Sequence, residues 1–235
     1  MAFLRRLRDD VRSGESYALV LALLLASLVV GIAAPETTWT RVVRDIVLSV
    51  TIVVAYWTAT RRRALFPGLL LPSVALVFVL VGALEGARTH AGTAAIGAVL
   101  VGGVACLVTR DLVRRGRVNL QTVFGALSLY VLLGMFFGLV YMFLADVTDA
   151  AFFARGDDGT SGEHLYYSFV AISTTGFGDL APATGIGRAL TVLEIVLGQL
   201  YLVTVVAVLV STAAERRQTA VRGAGLDDTD RGDPA

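Results

Sequence analysis

The stretch Thr174-Thr175-Gly176-Phe177-Gly178-Asp179 carries the residue types with the most to offer chemically. Gly176 and Gly178 stand at alternate positions, and glycine takes left-handed backbone angles without a Cβ penalty. A strand that alternates left- and right-handed residues turns successive carbonyls to one side. Stacked main-chain oxygens of this kind can replace the water around a cation. Asp179, at the end of the run, adds a carboxylate that raises the local cation concentration. Such irregular backbone survives between apolar segments only where it lines a polar path.

Other candidate groups are scattered. Glu194 and Gln199 lie inside an apolar run, where an ionisable or polar side chain is by default a functional hypothesis. Helical spacing puts Ile195, Gln199, Leu202 and Val206 near one face, assigned to the lining of a cavity. Glu194 then falls on another face, toward the short helix that precedes Thr174 or a neighbouring subunit, as a structural, hydrogen-bonded carboxyl for which a protonated form is open. His90 and His164 read as outward-facing surface or capping residues. Cys106, the one cysteine, reads as a small buried hydrophobe. No metal-ligand cluster, no nucleophile beside a base and no phosphate loop is present, so the chain does not read as an enzyme.

The elements that must position these groups are long apolar blocks. Hydrophobic residues make up 56% of the chain and the mean hydropathy is +0.73, which points to a membrane protein. A bilayer core about 30 Å thick needs roughly 20 apolar helical residues. Six blocks qualify, at about Tyr17 to Ala34, Val42 to Thr60, Pro67 to Leu84, Ala91 to Thr109, Leu120 to Ala145 and Ile186 to Thr212. Basic residues before the first block also describe a signal peptide, but its length favours a retained helix. Between the last two blocks, Glu163 to Ser173 is helical in pattern yet too short to cross, and reads as re-entrant. Thr160 and Glu163 have the spacing of a capping box, which starts that short helix at the surface and aims its negative C-terminal end inward.

Every basic residue is an arginine, and the net charge is only +1, so nothing suggests a nucleic-acid partner. Arg5, Arg6, Arg8, Arg12, Arg61, Arg62, Arg63, Arg110, Arg114, Arg115, Arg117, Arg216, Arg217, Arg222 and Arg231 fall on one side of the six blocks. Short arginine-rich loops stay in the cytoplasm, so both termini are expected there and the loop before the short helix is expected outside.

The run Thr174 to Asp179 resembles the selectivity filter of the potassium channel family, usually Thr-Val-Gly-Tyr-Gly-Asp. Leu165-Tyr166-Tyr167-Ser168 is similar to the family's pore-helix start, Pro182 follows the filter, Gly187-Arg188 opens the next span, and Gly198 sits where inner helices commonly hinge. The resemblance covers about Leu120 to Thr212. It implies an all-α membrane protein of six transmembrane helices with a re-entrant pore helix and a tetrameric pore, in the cell membrane. It also implies K+ bound by the carbonyls of Thr174, Thr175, Gly176 and Phe177 and by the Thr174 hydroxyl, with Tyr166 and Tyr167 supporting the filter. The expected partners are three further copies of the chain and lipid, with permeant K+ in place of a cofactor and no small-molecule substrate.

Three positions depart from the pattern. Thr175 replaces the usual Val and brings a hydroxyl that needs a partner; Phe177 replaces Tyr and loses one; Val170 stands where some relatives carry a Glu facing Asp179, so Asp179 either takes Tyr166 as partner by spacing or stands unpaired and water-facing at the outer mouth. A poorly selective monovalent cation channel therefore stays open as an alternative, as does a non-conducting scaffold or sensor. Residues 17–119 form the expected four-helix domain between a cytoplasmic segment at 1–16 and the pore domain at 120–212. The fourth block has no internal arginine, so little voltage sensing is expected of it. Gly97, Gly102 and Gly103 read as close helix packing, Arg41 with Asp45 as an ion pair, and residues 213–235 as a disordered tail.

Overall fold

Long apolar blocks whose buried positions recur every three or four residues fold as helices. The computed structural model describes residues 17–33, 35, 37–60, 91–115 and 120–230, and these hold six helices and no strand. They are α1 (Tyr17–Ala33), α2 (Thr38–Thr60), α3 (Ala91–Arg115), α4 (Leu120–Val147), the short α5 (Ser161–Ile172) and α6 (Gly185–Asp230). Among the described residues, three apolar stretches are long enough to cross a membrane: Ala91–Arg114, Gln121–Val147 and Gly185–Val208. Tyr17–Ala33 and Ile46–Tyr56 are apolar but shorter, the second because Arg41, Arg44 and Asp45 occupy the first turns of α2. The expected third span, residues 1–16, Arg61 to Arg63 and His90 lie outside the described residues, as do the side chains of Arg41 and Asp45.

α4 is the central post, packed on α1, α3 and α5. In α1 the buried positions Val20, Leu24, Ser27 and Gly31 trace one helical stripe. Tyr17, Val20 and Leu24 meet Leu48, Ile52 and Ala55 of α2, Val101, Val104 and Val108 of α3, and Leu132 and Met135 of α4 in one apolar cluster. A second cluster joins Phe137, Tyr141 and Ala145 of α4 to Phe152 and Phe153 of the following loop and Tyr167 of α5. Hydrogen bonds fix which helix ends coincide. The Tyr17 backbone N–H donates to Gln121 Oε1 at 2.9 Å and the Tyr17 hydroxyl to Asp111 Oδ2 at 2.7 Å. The start of α1, the end of α3 and the start of α4 thus share one end of the bundle. At the other end, a Cβ on Gly162 would lie 3.0 Å from the Gly31 carbonyl oxygen, so the start of α5 sits against the end of α1.

Gly134 and Gly138 of α4 stand one turn apart and admit α5. A Cβ on Gly134 would come 2.8 Å from Phe169 Cζ, and one on Gly138 would come 3.2 Å from Leu165 Cα. This small-xxx-small pair brings two backbones together where no hydrophobic drive separates helix from lipid. The glycines singled out in α3 behave differently: Gly102 contacts Phe136, but nothing lies within 4 Å of a Cβ on Gly103. Cys106 is exposed rather than buried, because it falls on the outward face of α3.

The described residues divide into two units, one ending at Gln199 and the other beginning at Leu200. Within the second, helix continues to Asp230, past Thr212, where a disordered tail was expected. Ala213, Ala214, Glu215, Arg216, Arg217 and Gln218 are strong helix formers, which accounts for the difference.

Gly138→Ala is expected to destabilise the purified protein by about 1–3 kcal/mol, because the atom it meets is backbone and has nowhere to go. Gly103→Ala is expected to be neutral or stabilising. Thermal unfolding of both variants in detergent checks the contrast; equal melting points would refute the close approach.

Candidate ion-conduction site

The site begins with the anchoring of α5. Thr160 is its N-cap: its Oγ1 accepts from the Glu163 backbone N–H at 3.2 Å, and Glu163 Oε2 accepts from the Thr160 N–H at 2.7 Å. The expected capping box is therefore present. Arg155 steadies it, with Nη2 2.7 Å from Glu163 Oε1 and Nε 2.7 Å from Asp157 Oδ2. Partial burial pushes the Glu163 carboxyl up, but hydrogen bonds from Arg155 and Thr160 outweigh that and hold it below its ordinary range. The same loop grips the chain beyond the filter-like segment. Ala154 N–H donates to Ala181 O and Ala183 N–H to Phe152 O, each at 2.8 Å, around a bridge between Phe153 and Pro182. Arg188 Nε donates to Pro182 O at 3.1 Å, and Thr184 Oγ1 caps the start of α6 by accepting from Gly187 N–H at 3.1 Å.

At its inner end α5 runs directly into the segment. The N–H groups of Thr174 and Thr175 still donate back to Ala171 O and Val170 O, at 2.9 and 3.0 Å. From there the backbone takes left-handed φ at every second residue: 57° at Thr174, 60° at Gly176 and 80° at Gly178. Two of the three are glycines; Thr174 is the only non-glycine with positive φ among the described residues. A β-branched residue in that region is strained, and such strain persists only where surrounding structure imposes it. Here the hydrogen bonds at the end of α5 do so.

The hydroxyl that Thr175 adds is 2.8 Å from Ser173 Oγ. Ser173 in turn donates to Phe169 O at 2.6 Å, so Thr175 is the donor between the two. Phe177 is 69% exposed in the protomer and lies parallel to Tyr166, centroids 6.4 Å apart. Asp179 is the charged group within reach of the Tyr166 hydroxyl. Tyr167 points elsewhere: it is buried against Tyr141, Phe152 and Phe153, and its hydroxyl is 2.7 Å from Thr191 Oγ1 on α6. Successive helical residues diverge by about 100°, so only one of the two tyrosines can face the segment.

Glu194 is fully buried between helices, with Oε2 2.6 Å from the Tyr141 hydroxyl and Oε1 2.5 Å from Ser168 Oγ. Gly198, one turn on, packs on the end of α5, where a Cβ would lie 2.5 Å from Ile172 Cγ1 and 3.1 Å from Ile172 O. Close approach alone thus requires glycine at the position the sequence assigned to a hinge, and the helix is unbroken there. The Tyr130 hydroxyl holds that same Ile172 carbonyl at 3.1 Å. Ile195 and Gln199 are half-buried on α6. In the second unit Leu202 is half-buried and Val206 is exposed. Tyr141, Tyr130 and Ser173 were given no role in sequence, and Ser168 entered only as the end of the Leu165 to Ser168 motif. Thr191 and Glu194, three apart in an apolar span, were the available signal of a polar face. Among the described residues no cluster of His, Cys, Asp and Glu is placed to hold a metal.

His164 is not a surface residue. It is 2% exposed between Phe152 and Phe153, its Nδ1 donates to Thr160 O at 2.8 Å, and its Nε2 has no hydrogen-bond partner. Burial pushes the imidazole down, against smaller opposing effects of the Thr160 carbonyl, Glu163, Asp146 and Asp158. A depressed His leaves its stabilisation intact above the unfolded value of about 6.5 and loses it as pH falls through the lower folded value. The melting temperature is accordingly expected to drop as pH is lowered below about 6.5, and His164→Asn to flatten that part of the profile. An unchanged profile in the variant would assign the loss to other groups.

No curated protein matches the chain. Residues 125–215, which run from Gly125 in α4 through α5 and the Thr174 to Asp179 segment to Glu215 in α6, match the family described as ion channel. The part of the chain that builds this site is therefore similar to the family described as ion channel.

Proposed function

We propose that the chain is one subunit of a homotetrameric, potassium-selective channel of the cell membrane, with Thr174, Thr175, Gly176, Phe177 and Gly178 forming the filter. The observation that carries this reading is the left-handed backbone at Thr174, Gly176 and Gly178, at the inner end of a short capped helix. Alternation of that kind is what a one-sided row of carbonyls needs, and the α5 dipole adds negative potential beneath it. One such strand cannot surround an ion, so the mechanism requires several copies about an axis. Two further features support this. Phe177 stands 69% exposed, and Ile186, Val192, Leu193 and Val196 of α6 leave an apolar face uncovered in the protomer.

In this reading Asp179 sits at the outer mouth and gathers cations, and Tyr166 braces Phe177. Ile195 and Gln199 line the water-filled cavity below, and Gly198 remains a candidate pivot. Both termini lie in the cytoplasm, on the side of the arginine clusters. Arg110, Arg114 and Arg115 gather at the end of α3 rather than along it, so the first helices supply little gating charge.

Reconstituted protein is expected to pass K+ in preference to Na+, with weak voltage dependence. Gly178→Ala is expected to abolish the flux, since a left-handed alanine costs about 1–2 kcal/mol in each subunit. A bi-ionic reversal potential decides selectivity: equal permeability to Na+ and K+ would replace this reading with a poorly selective cation channel. Absence of any flux would leave a non-conducting scaffold.

A further inference from the structure

The hydroxyl of Ser168 lies in two short contacts at once. Its Oγ is 2.6 Å from the Gly134 carbonyl oxygen of α4 and 2.5 Å from Glu194 Oε1 of α6. A serine hydroxyl has one proton to donate, and a carbonyl has none. If that proton goes to Gly134 O, the contact with Oε1 sets lone pair against lone pair unless Oε1 carries a proton. If it goes to a carboxylate, the contact with Gly134 O becomes the unsupported one. One proton shared between two acceptors makes a weaker bond to each, so two contacts this short are best satisfied when Glu194 is the second donor. The other carboxyl oxygen, Oε2, is served by the Tyr141 hydroxyl at 2.6 Å.

The surroundings agree with this count. Ser168, Tyr141 and Glu194 are each fully buried. The titratable groups that act on or feel Glu194 from the helices packed against it are Tyr130 and Tyr141 of α4 and Tyr167 of α5, all uncharged phenols. Among the described residues no arginine or histidine is paired with it. An ionised carboxylate here would be a buried charge without a counter-ion, which is far costlier than a neutral acid with both oxygens hydrogen-bonded.

We infer that Glu194 acts as a neutral carboxylic acid, a hydrogen-bond donor that clamps α6 onto Ser168 and so positions α5 and the filter segment that α5 carries. With Gly198 pressed on Ile172 one turn later, α6 grips α5 at two points, the second at the helix end from which Thr174 departs. A shift of α6 at Glu194 therefore reaches the filter through a rigid contact. The clamp gives the filter reading a positioning residue outside the ion path, and it rests on that reading for its consequence but not for its chemistry.

Glu194→Gln, Glu194→Asp and Glu194→Ala in the full-length protein provide the test. Glutamine keeps a donor toward Ser168 and an acceptor toward Tyr141, whereas aspartate keeps the acid but is one methylene too short. The wild type is expected to show the infrared carbonyl band of a protonated carboxylic acid at neutral pH, lost in Glu194→Gln. Glu194→Gln is expected to keep wild-type melting temperature and K+ selectivity, and Glu194→Asp and Glu194→Ala to lose both. Absence of the band, or a Glu194→Gln variant as impaired as Glu194→Ala, would overturn the inference. A wild type that shows the band and the same ranking of melting temperatures, yet passes no K+, upholds the clamp and removes the channel reading.

Discussion

A short helix that hands the chain directly to irregular backbone has to be held from outside itself, because the groups at its end lose the regular partners that a continuing helix would supply. α5 meets that constraint on every side. Its outer end is closed by the Thr160 and Glu163 capping box, its flank is drawn onto α4 by Gly134 and Gly138, and its inner end is caught by Tyr130 and Gly198. The left-handed φ of Thr174 is the visible result, since threonine would not adopt it unforced.

The holding contacts are not equal. Arg155 with Asp157 and Glu163 is exposed, and ion pairs at such places contribute little once water and salt screen them. Its use is geometric, keeping Glu163 aimed at the cap. The contacts between α4, α5 and α6 are buried, and breaking one there strands a polar atom at a cost of about 1–3 kcal/mol. Stability of the site is thus concentrated in Ser168, Tyr141, Tyr167, Thr191 and Glu194, whose hydroxyls and carboxyl form short links between helices. His164 is the exception within this region, since its Nε2 lacks a partner and makes the outer end of α5 sensitive to acid.

The two departures from the usual filter pattern are absorbed differently. Thr175 finds a partner in Ser173, so its extra hydroxyl ties the Thr174 to Asp179 segment to the end of α5. Phe177 has only ring stacking on Tyr166 in place of a hydroxyl bond, and the Tyr166 hydroxyl is left to Asp179. One substitution adds a brace and the other removes one, which is the physical ground on which selectivity becomes a matter for measurement.

Local patterns were legible in the chain itself. The apolar blocks, the cap at Thr160 and Glu163, and the glycines at 176 and 178 depend on residues a few positions apart, and backbone chemistry translates them directly into helix, cap and turn. Pairings across the fold were not. Which of Tyr166 and Tyr167 meets Phe177, that Cys106 and Gly103 point outward, that His164 is buried, and that Glu194 meets Ser168 and Tyr141 all depend on the rotation of one helix against another. That rotation is set by the sum of packing contacts along whole helices. Gly198 shows the difference most plainly: sequence position suggested a pivot, and only the neighbouring Ile172 shows that the glycine is needed because two backbones touch.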